Sequence, residues 1–383
     1  MIKPPVQIAF YAPLKHPGHS APSGDRTVAR LLLSALALAG FSPELASELR
    51  TFEPQGDRIR QEAIRQESLR EAARLCDLFG NRAPENRPRL WFTYHCYYKA
   101  PDWIGPAVAD ALRIPYVVAE GSRAGKRAAG PWSLAHEGAE AALDRADMIF
   151  VMTGHDGQAL VRRKPAGQRL VSLPPFLDLG HWPAPISAGP RKGEPIAIRL
   201  LCVAMMREGD KLASFRLLAD ALRMLDDLGP AYRLWSLTVV GDGPARAEVD
   251  RLFAPLADRV DMHGQVEDRT RLAAIYDKAD LLVWPAVNEA YGMALLEAQA
   301  MGCPVLAGEY GGVASAVKAG ESGWLTAPGD VGAFVRTLAD LMAKPDQLTP
   351  MRETAQRFVR RERDLDQAAA RLRGELSSLL RSA

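Results

Sequence analysis

The 383-residue chain has little cysteine, and Cys76, Cys96, Cys202 and Cys303 stand far apart. No Cys-x-x-Cys pair and no His/Cys cluster occurs to suggest a metal site. Long apolar runs are lacking too. None reaches the ~20 residues that a bilayer-spanning helix needs. The opening "MIKPPVQIAFYAP" has neither a long apolar core nor a cleavage pattern. The expectation is a soluble, cytoplasmic protein of a reducing compartment, with peripheral attachment at the inner face of a membrane left open. An excess of one charge is also missing. Against 48 Lys+Arg stand 46 Asp+Glu, a net +2, which gives no indication of a nucleic-acid partner. Imbalance appears only between the halves. Residues 1–175 carry 23 basic and 18 acidic side chains, and the rest carries 25 and 28. A basic first half suits an acidic acceptor or an anionic membrane surface; scatter over two solvated surfaces gives the same count. No internal repeat of solenoid period is present.

What is there is globular. Of the residues 48% are apolar and 25% charged, and the length suits two domains, each with its own core. "VQIAFYAP" (6–13) reads as a strand, "LKHPGHSAPSGDR" as a polar loop, and "TVARLLLSALALAG" as an apolar-periodic helix with Gly40 as its stop. Residues 57–79 read as a long amphipathic helix with both charge signs on its polar face, the mark of a solvated surface. Strands recur at 89–95, 114–121 and 147–153 with helical patterns between, which argues for a parallel sheet. Residues 173–195 then hold six prolines and three glycines, the strongest linker signal in the chain. A second alternation follows, with strands at 198–205, 235–242, 260–264, 279–286 and 303–309. Two doubly wound α/β domains imply ligand sites beyond the carboxyl ends of the strands and in a cleft between the domains.

One stretch, "NEAYGMALLEAQAMGCPVLAGEYGGV" (288–313), sets two acids eight residues apart, Glu289 and Glu297, ahead of Gly302, Pro304, Gly311 and Gly312. In one helix eight residues rise ~12 Å, beyond the ~5–9.5 Å that separates a glycosidase carboxylate pair. The two acids therefore serve different parts of an elongated ligand, Glu289 from a loop and Glu297 from the following helix. Between them Tyr291, Gly292, Met293, Ala294 and Leu295 form the first turn, whose free N–H groups and positive end receive a phosphate. Gly292 allows close backbone approach. Hydroxyls, then phosphate, then hydroxyls again is the order of a sugar nucleotide. A lone glutamate beside a helix is an ordinary surface residue; it is the pair in this setting that carries the reading.

The same stretch resembles the E-x7-E region of retaining GT-B glycosyltransferases, glycosyltransferase family 4 in particular. Glu, aromatic, Gly, then Glu-Ala-x-Ala-x-Gly-x-Pro-Val and a later Gly-Gly are all present. "CVAMMREGDKLASF" resembles the family's Arg-x-x-x-Lys segment, which gives Arg207 and Lys211 the task of holding the diphosphate. "VVGDGPARAEV" resembles its Gly-x-Gly-Pro turn at Gly241, a strand-to-helix turn lacking the third glycine of a dinucleotide fingerprint. "DMHGQV" resembles the segment beside the nucleobase, making His263, Gly264 and Gln265 candidates. "SGDRTVARLLLSALALAGF" resembles the first-domain glycine loop, placing Gly24 near the donor phosphates with Asp25 and Arg26 alongside. "PPFLDLGHW" resembles a Pro-Asn-Gly-x-Asp turn in which Pro175 and Phe176 replace Asn-Gly. The likeness spans nearly all of the second domain and covers the first loosely.

The family often carries a histidine after "IPYVV"; here Glu120 stands at about that place. Three readings stay open: a register offset, a replacement of the histidine by Glu120, or a different mode of sugar binding. His95, after a strand and among aromatics, is the other first-domain candidate.

The resemblance implies a GT-B fold, two Rossmann-like domains facing across a cleft. Their expected extents are 1–175 on the acceptor side and 190–358 on the nucleotide-sugar side, with a C-terminal helix near 360–383 packing back on the first. It implies transfer of a sugar from a nucleoside diphosphate sugar to an acceptor hydroxyl with retention, in bacterial polysaccharide or glycolipid synthesis. Arg207, Lys211, Glu289, Glu120 and His95 would act at the reacting centre. No cofactor or metal is expected, and no DxD occurs in a matching place. The acceptor would be a sugar or a lipid-linked sugar. An epimerase or phosphorylase on the same fold, or a non-catalytic sugar-nucleotide-binding subunit, are the alternatives. An NAD enzyme is disfavoured because neither domain opens with a complete fingerprint.

Overall fold

A computed structural model describes residues 5–20, 23–184 and 198–382. The chain forms two compact units, Met1–Pro174 with Leu365–Ala383, and Pro175–Asp364. The expected start of the second domain at 190 lies outside the described residues.

The first unit is built from strands β1 (Val6–Tyr11), β2 (Phe41–Ser47), β3 (Trp91–Cys96), β4 (Tyr116–Gly121), β5 (Met148–Val151) and β6 (Arg169–Ser172). Its helices are α1 (Gly24–Leu38), α2 (Arg58–Gly80), α3 (Gly105–Leu112), α4 (Ser133–Arg145) and α5 (Gly154–Arg162). The strands form one parallel sheet in the order β2-β1-β3-β4-β5-β6. Apolar runs make the central strands because helices cover both faces of a parallel sheet. Phe10, Phe92 and Phe150 sit side by side, with ring centroids 5.9 and 6.1 Å apart. The strand order reverses between β1 and β3, which makes the carboxyl ends of these two strands the topological switch point.

The second unit repeats the plan. Its strands are β7 (Ile198–Val203), β8 (Trp235–Val240), β9 (Val260–Gly264), β10 (Leu281–Trp284), β11 (Val305–Gly308) and β12 (Gly323–Thr326). Its helices are α6 (Asp210–Asp226), α7 (Arg246–Phe253), α8 (Arg269–Lys278), α9 (Met293–Ala300), α10 (Val313–Ala316), α11 (Val331–Ala343) and α12 (Leu348–Glu362). The sheet order is β12-β11-β10-β7-β8-β9, parallel throughout. Renumbered from its own first strand this is 3-2-1-4-5-6 read from β9, the Rossmann order, with the switch point between β7 and β10. The last helix, α13 (Leu365–Ser382), belongs to the first unit. Its Arg373 donates to the carbonyls of Ala39 and Leu38 at the end of α1, at 2.9 and 2.8 Å. That carbonyl cluster is the negative end of α1, where a cation is favoured.

Three strands, β2, β6 and β12, are absent from the sequence reading, and all three lie at sheet edges. An edge strand needs no two-sided ladder and only a partial apolar face, so its apolar pattern is mixed. Pro43 sits within β2, tolerable at an edge because no interior ladder bond is lost.

Candidate functional site

In the second unit the loops leaving β7 and β10 meet at the switch point. Lys211 stands in the first turn of α6, and its Nζ lies 2.5 Å from Glu289 Oε2. The Trp284 indole donates to the same oxygen at 3.1 Å, and the ammonium sits 5.3 Å from that ring. The loop bearing Glu289 is pinned further by Val287 N–H to Ser214 Oγ (3.0 Å) and by Asn288 to Asp210 (2.9 Å). Arg207 is exposed in the turn between β7 and α6.

The two glycines after β11 have a steric task. Gly312 N–H donates to Glu289 O at 2.8 Å. A Cβ at Gly312 would lie 1.9 Å from Ala290 O, and one at Gly311, where φ is +58°, 2.4 Å from Glu289 O. The chain therefore passes directly against the backbone of 289–290, and only hydrogen fits between. Gly241 and Gly243 do the same at the β8–α7 turn, where Cβ atoms would meet the carbonyls of Ala204 and Met206 at 1.9 and 2.3 Å.

Gly292 (φ +69°) precedes α9 in the left-handed region, and no side chain caps the helix. Leu295 and Leu296 amides both reach back to Gly292 O, at 2.9 and 3.2 Å. Met293 and Ala294 present the amides of the open first turn, and Tyr291 is buried just ahead of it. Four residues on, Glu297 Oε2 accepts from the buried Tyr276 hydroxyl at 2.9 Å. Burial pushes the Glu297 carboxyl up to about 7, with the Tyr276 bond pulling the other way. His263, on β9, holds Asp261 at 2.8 Å, and Gly264 (φ +68°) accepts from the Gly241 amide at 2.8 Å. Gln265 is exposed and bonds Glu267.

In the first unit a second constellation occupies the other switch point. Asp25 lies in the first turn of α1, next to Gly24, around which there is open space. His95 Nδ1, at the end of β3, lies 3.1 Å from Asp25 Oδ1 and 3.5 Å from Glu120 Oε2 at the end of β4. Both His95 (φ +63°) and Glu120 (φ +60°) adopt left-handed backbone. For residues with side chains that costs roughly 1–3 kcal/mol each, and such strain clusters at functional sites. Glu120 is 5% exposed, and its Oε2 has no hydrogen-bond partner. Burial drives its carboxyl up to about 8 against the pull of His95. Burial opposes charge on His95, but Glu120 and Asp25 outweigh it and raise the imidazole to about 9. Arg26 bonds the carbonyls of His19 and Ser20 at 3.0 and 3.2 Å, and so shapes the loop ahead of α1.

The candidate residues thus fall into two groups. Lys211, Glu289, Gly292, Met293, Ala294 and Glu297 gather in the second unit, and Asp25, His95 and Glu120 in the first. Sequence reasoning missed Trp284 and Tyr276, which orient the two glutamates. Both sit inside apolar runs, where they look like core, and no local signal separates them from it.

Comparison with known proteins adds a name to the second unit. Residues 197–344 match the family model described as glycosyl transferases group 1. The D-inositol 3-phosphate glycosyltransferase 2 of Catenulispora acidiphila is 32% identical over 230 residues, 57% of this chain and 53% of that one. The D-inositol 3-phosphate glycosyltransferase of Nocardia farcinica is 29% identical over 285 residues, 69% of this chain and 61% of that one. The chain therefore matches little more than half the length of these curated relatives. Among solved structures, sucrose-phosphate synthase from Thermosynechococcus elongatus superposes with a TM-score of 0.72 at 19% identity, covering 99% of this chain and all of its own. Anabaena HepE in complex with UDP gives 0.70 at 16% identity, covering 97% and 100%. At these identities the structures show a shared fold.

Proposed function

We propose, from the match of residues 197–344 to the model for group 1 glycosyl transferases and from the fold shared with glycosyltransferase-type structures, that the protein is a retaining, metal-independent glycosyltransferase using a nucleoside diphosphate sugar. The observation that carries this reading is the meeting of Lys211, Glu289 and the open first turn of α9 at the switch point of the second sheet.

Each group has a physical task. Glu297, held by Tyr276, accepts from ribose hydroxyls. The segment His263–Gln265 lies along the nucleobase. The amides of Met293 and Ala294, with Arg207 and Lys211, receive the diphosphate. Glu289 accepts from hexose hydroxyls while Lys211 and Trp284 fix its position. In the reaction the C1–O bond to the phosphate breaks and its electron pair leaves with the diphosphate; the acceptor oxygen bonds to C1 on the face the phosphate leaves, and its proton passes to the departing phosphate oxygen. Charge grows on the departing diphosphate, where preorganised cations and amides stabilise it most. Fixed protein charges supply that stabilisation, so the reaction requires no metal. In the first unit, His95 and Glu120 hold the acceptor sugar. A sugar or lipid-linked sugar is the acceptor, in polysaccharide or glycolipid synthesis.

A thermal-shift screen of UDP-, GDP- and ADP-sugars without metal tests this on wild type and Glu297→Ala. A donor at 100 times its Kd adds about 2.7 kcal/mol of stability. A shift with one sugar nucleotide, weakened in the variant, supports the donor site and names the base. No shift with any of them sinks the reading. Conversion of the donor without an acceptor-dependent product would point instead to an epimerase or phosphorylase.

A further inference from the structure

A second feature of the first unit is not absorbed by the donor chemistry. Beyond His95 the rings continue in contact. His95 to Tyr97 is 4.8 Å between centroids, Tyr97 to Tyr98 is 5.5 Å, and Tyr98 to Trp132 is 5.8 Å. Two cations close the far end of this run. Lys99 Nζ lies 5.8 Å from the Tyr98 ring and 5.3 Å from that of Trp132, and Arg127 Cζ lies 5.3 and 5.1 Å from the same two rings.

Among the described residues, neither Lys99 nor Arg127 makes an ion pair, nor does the neighbouring Lys126. Arg127 Nε is buried with no hydrogen-bond partner. The acid in the adjoining loop, Glu53, is spent on backbone, accepting from the amides of Gln55, Gly56 and Asp57 at 2.9, 2.5 and 3.0 Å. The platform itself is fixed. The Trp132 indole donates to Glu53 O at 3.2 Å, and a Cβ at Gly56 would lie 2.5 Å from Pro131 Cβ.

Cation–π contact holds a guanidinium in place but fills none of its five donors, and Arg and Lys so placed are phosphate and carboxylate binders. Tyr97, Tyr98 and Trp132 are each half-buried, which leaves ring surface for the C–H face of a sugar. The whole run hangs on loops that leave the carboxyl ends of β3 and β4, where parallel sheets bind ligands.

We infer that the run from His95 to Trp132 is a binding site for a glycosyl acceptor that carries an oxyanion, with its reacting sugar at His95 and Glu120 and its phosphate or carboxylate at Lys99 and Arg127. This rests on the transferase reading above and specifies the acceptor class it requires.

The test is calorimetric titration of the full chain, saturated with whichever of UDP, GDP and ADP it binds so that the donor phosphate site is filled, with glucose, glucose 1-phosphate and glucuronate as probes. Wild type binds at least one of the two anionic probes about tenfold more tightly than glucose, and Lys99→Met/Arg127→Met loses that preference. Met keeps an apolar stem on the rings, and the single variants, each with an intermediate loss, guard against a folding defect. Preference for glucose 1-phosphate assigns a phosphate, and preference for glucuronate a carboxylate. Equal binding of all three to wild type, or a preference that survives in the double variant, overturns the proposal. So does loss in the variant of binding to phosphatidylcholine/phosphatidylglycerol vesicles with no discrimination among the sugars, which would make the patch a membrane contact. Titration with UDP, GDP and ADP alone separates the two readings. Failure of UDP, GDP and ADP alike to bind removes the transferase reading, while the effect of the double variant on the anionic probes still reports on the patch.

Discussion

Gly312→Ala is the substitution that asks most directly whether the loop around Glu289 is held by backbone packing. At Gly312 the backbone is in the ordinary right-handed region, with φ −85° and ψ −4°. Alanine there carries no conformational penalty. The added methyl, however, would stand 1.9 Å from Ala290 O and 2.8 Å from Ala290 C. Relief takes well over 1 Å of movement, and the obstacle is backbone, which cannot rotate aside. The 289–291 segment must move, losing the Gly312–Glu289 bond and carrying Glu289 away from Lys211 and Trp284. Overpacking of this kind costs about 1–3 kcal/mol, and a 1 Å misplacement of a catalytic group costs about 100-fold in rate. Gly320→Ala is the matched control. Its φ of +78° makes alanine strained, but nothing lies within 4 Å of the new Cβ, so stability falls by about 1 kcal/mol and the site is untouched. The assay is urea denaturation together with sugar transfer, once the donor is known, and calorimetric donor binding for both variants. The expected result is a comparable or larger stability loss for Gly312→Ala, with transfer abolished or strongly reduced only there. Wild-type transfer and donor affinity in Gly312→Ala would refute the packing argument.

Three further outcomes are expected. Lys211→Met removes the cation from a Glu289 whose side chain is 17% exposed, and should cost about 1–2 kcal/mol, between the surface and buried limits; Glu289→Gln in the same chain should recover about half, and strictly additive losses in a double-mutant cycle would deny the coupling. Glu120 and His95 both hold protons more tightly in the folded chain, at about 8 and about 9. The folded state then binds more protons than the unfolded one between neutral pH and 9, so stability falls as pH rises through that window, by at most about 1.4 kcal/mol per pH unit for each proton. Thermal melts from pH 6 to 9.5 should show this fall in wild type and a shallower one in Glu120→Gln; a flat wild-type profile contradicts the cluster as described. Because the Glu297 carboxyl is raised to about 7, its charged form, the better acceptor, grows as pH rises through 7. Donor affinity should strengthen from pH 6 to 8 in wild type and not in Glu297→Gln, and parallel profiles would remove Glu297 from ribose binding.

Much of the architecture is legible in the chain because buried parallel strands must be apolar runs and crossover helices must be periodic. The nine strands read from sequence are all present, within two residues at their ends. The three unread strands lie at edges, where the pleat is half wetted and the apolar pattern thins. The site is legible in part. The acid pair and the glycines between and after them announce a ligand of mixed polarity. Nothing local tells that Trp284 and Tyr276 would orient those acids, since an aromatic in a strand or helix serves the core by default.

By itself the sequence determined the alternation of strand and helix, the presence of two doubly wound units, and the set of residue types able to hold hydroxyls and phosphates. These follow from short-range rules of periodicity, capping and turn chemistry, which act within a few residues. Tertiary structure alone decided that Lys211 meets Glu289 across 78 positions of chain, and that Gly312 is small because Ala290 O lies against it. It alone turned His95 and Glu120 into the left-handed region at adjacent strand ends. Such features depend on steric contact and charge between segments brought together only by the sheet order, and strain of that kind persists because the packed surroundings hold it.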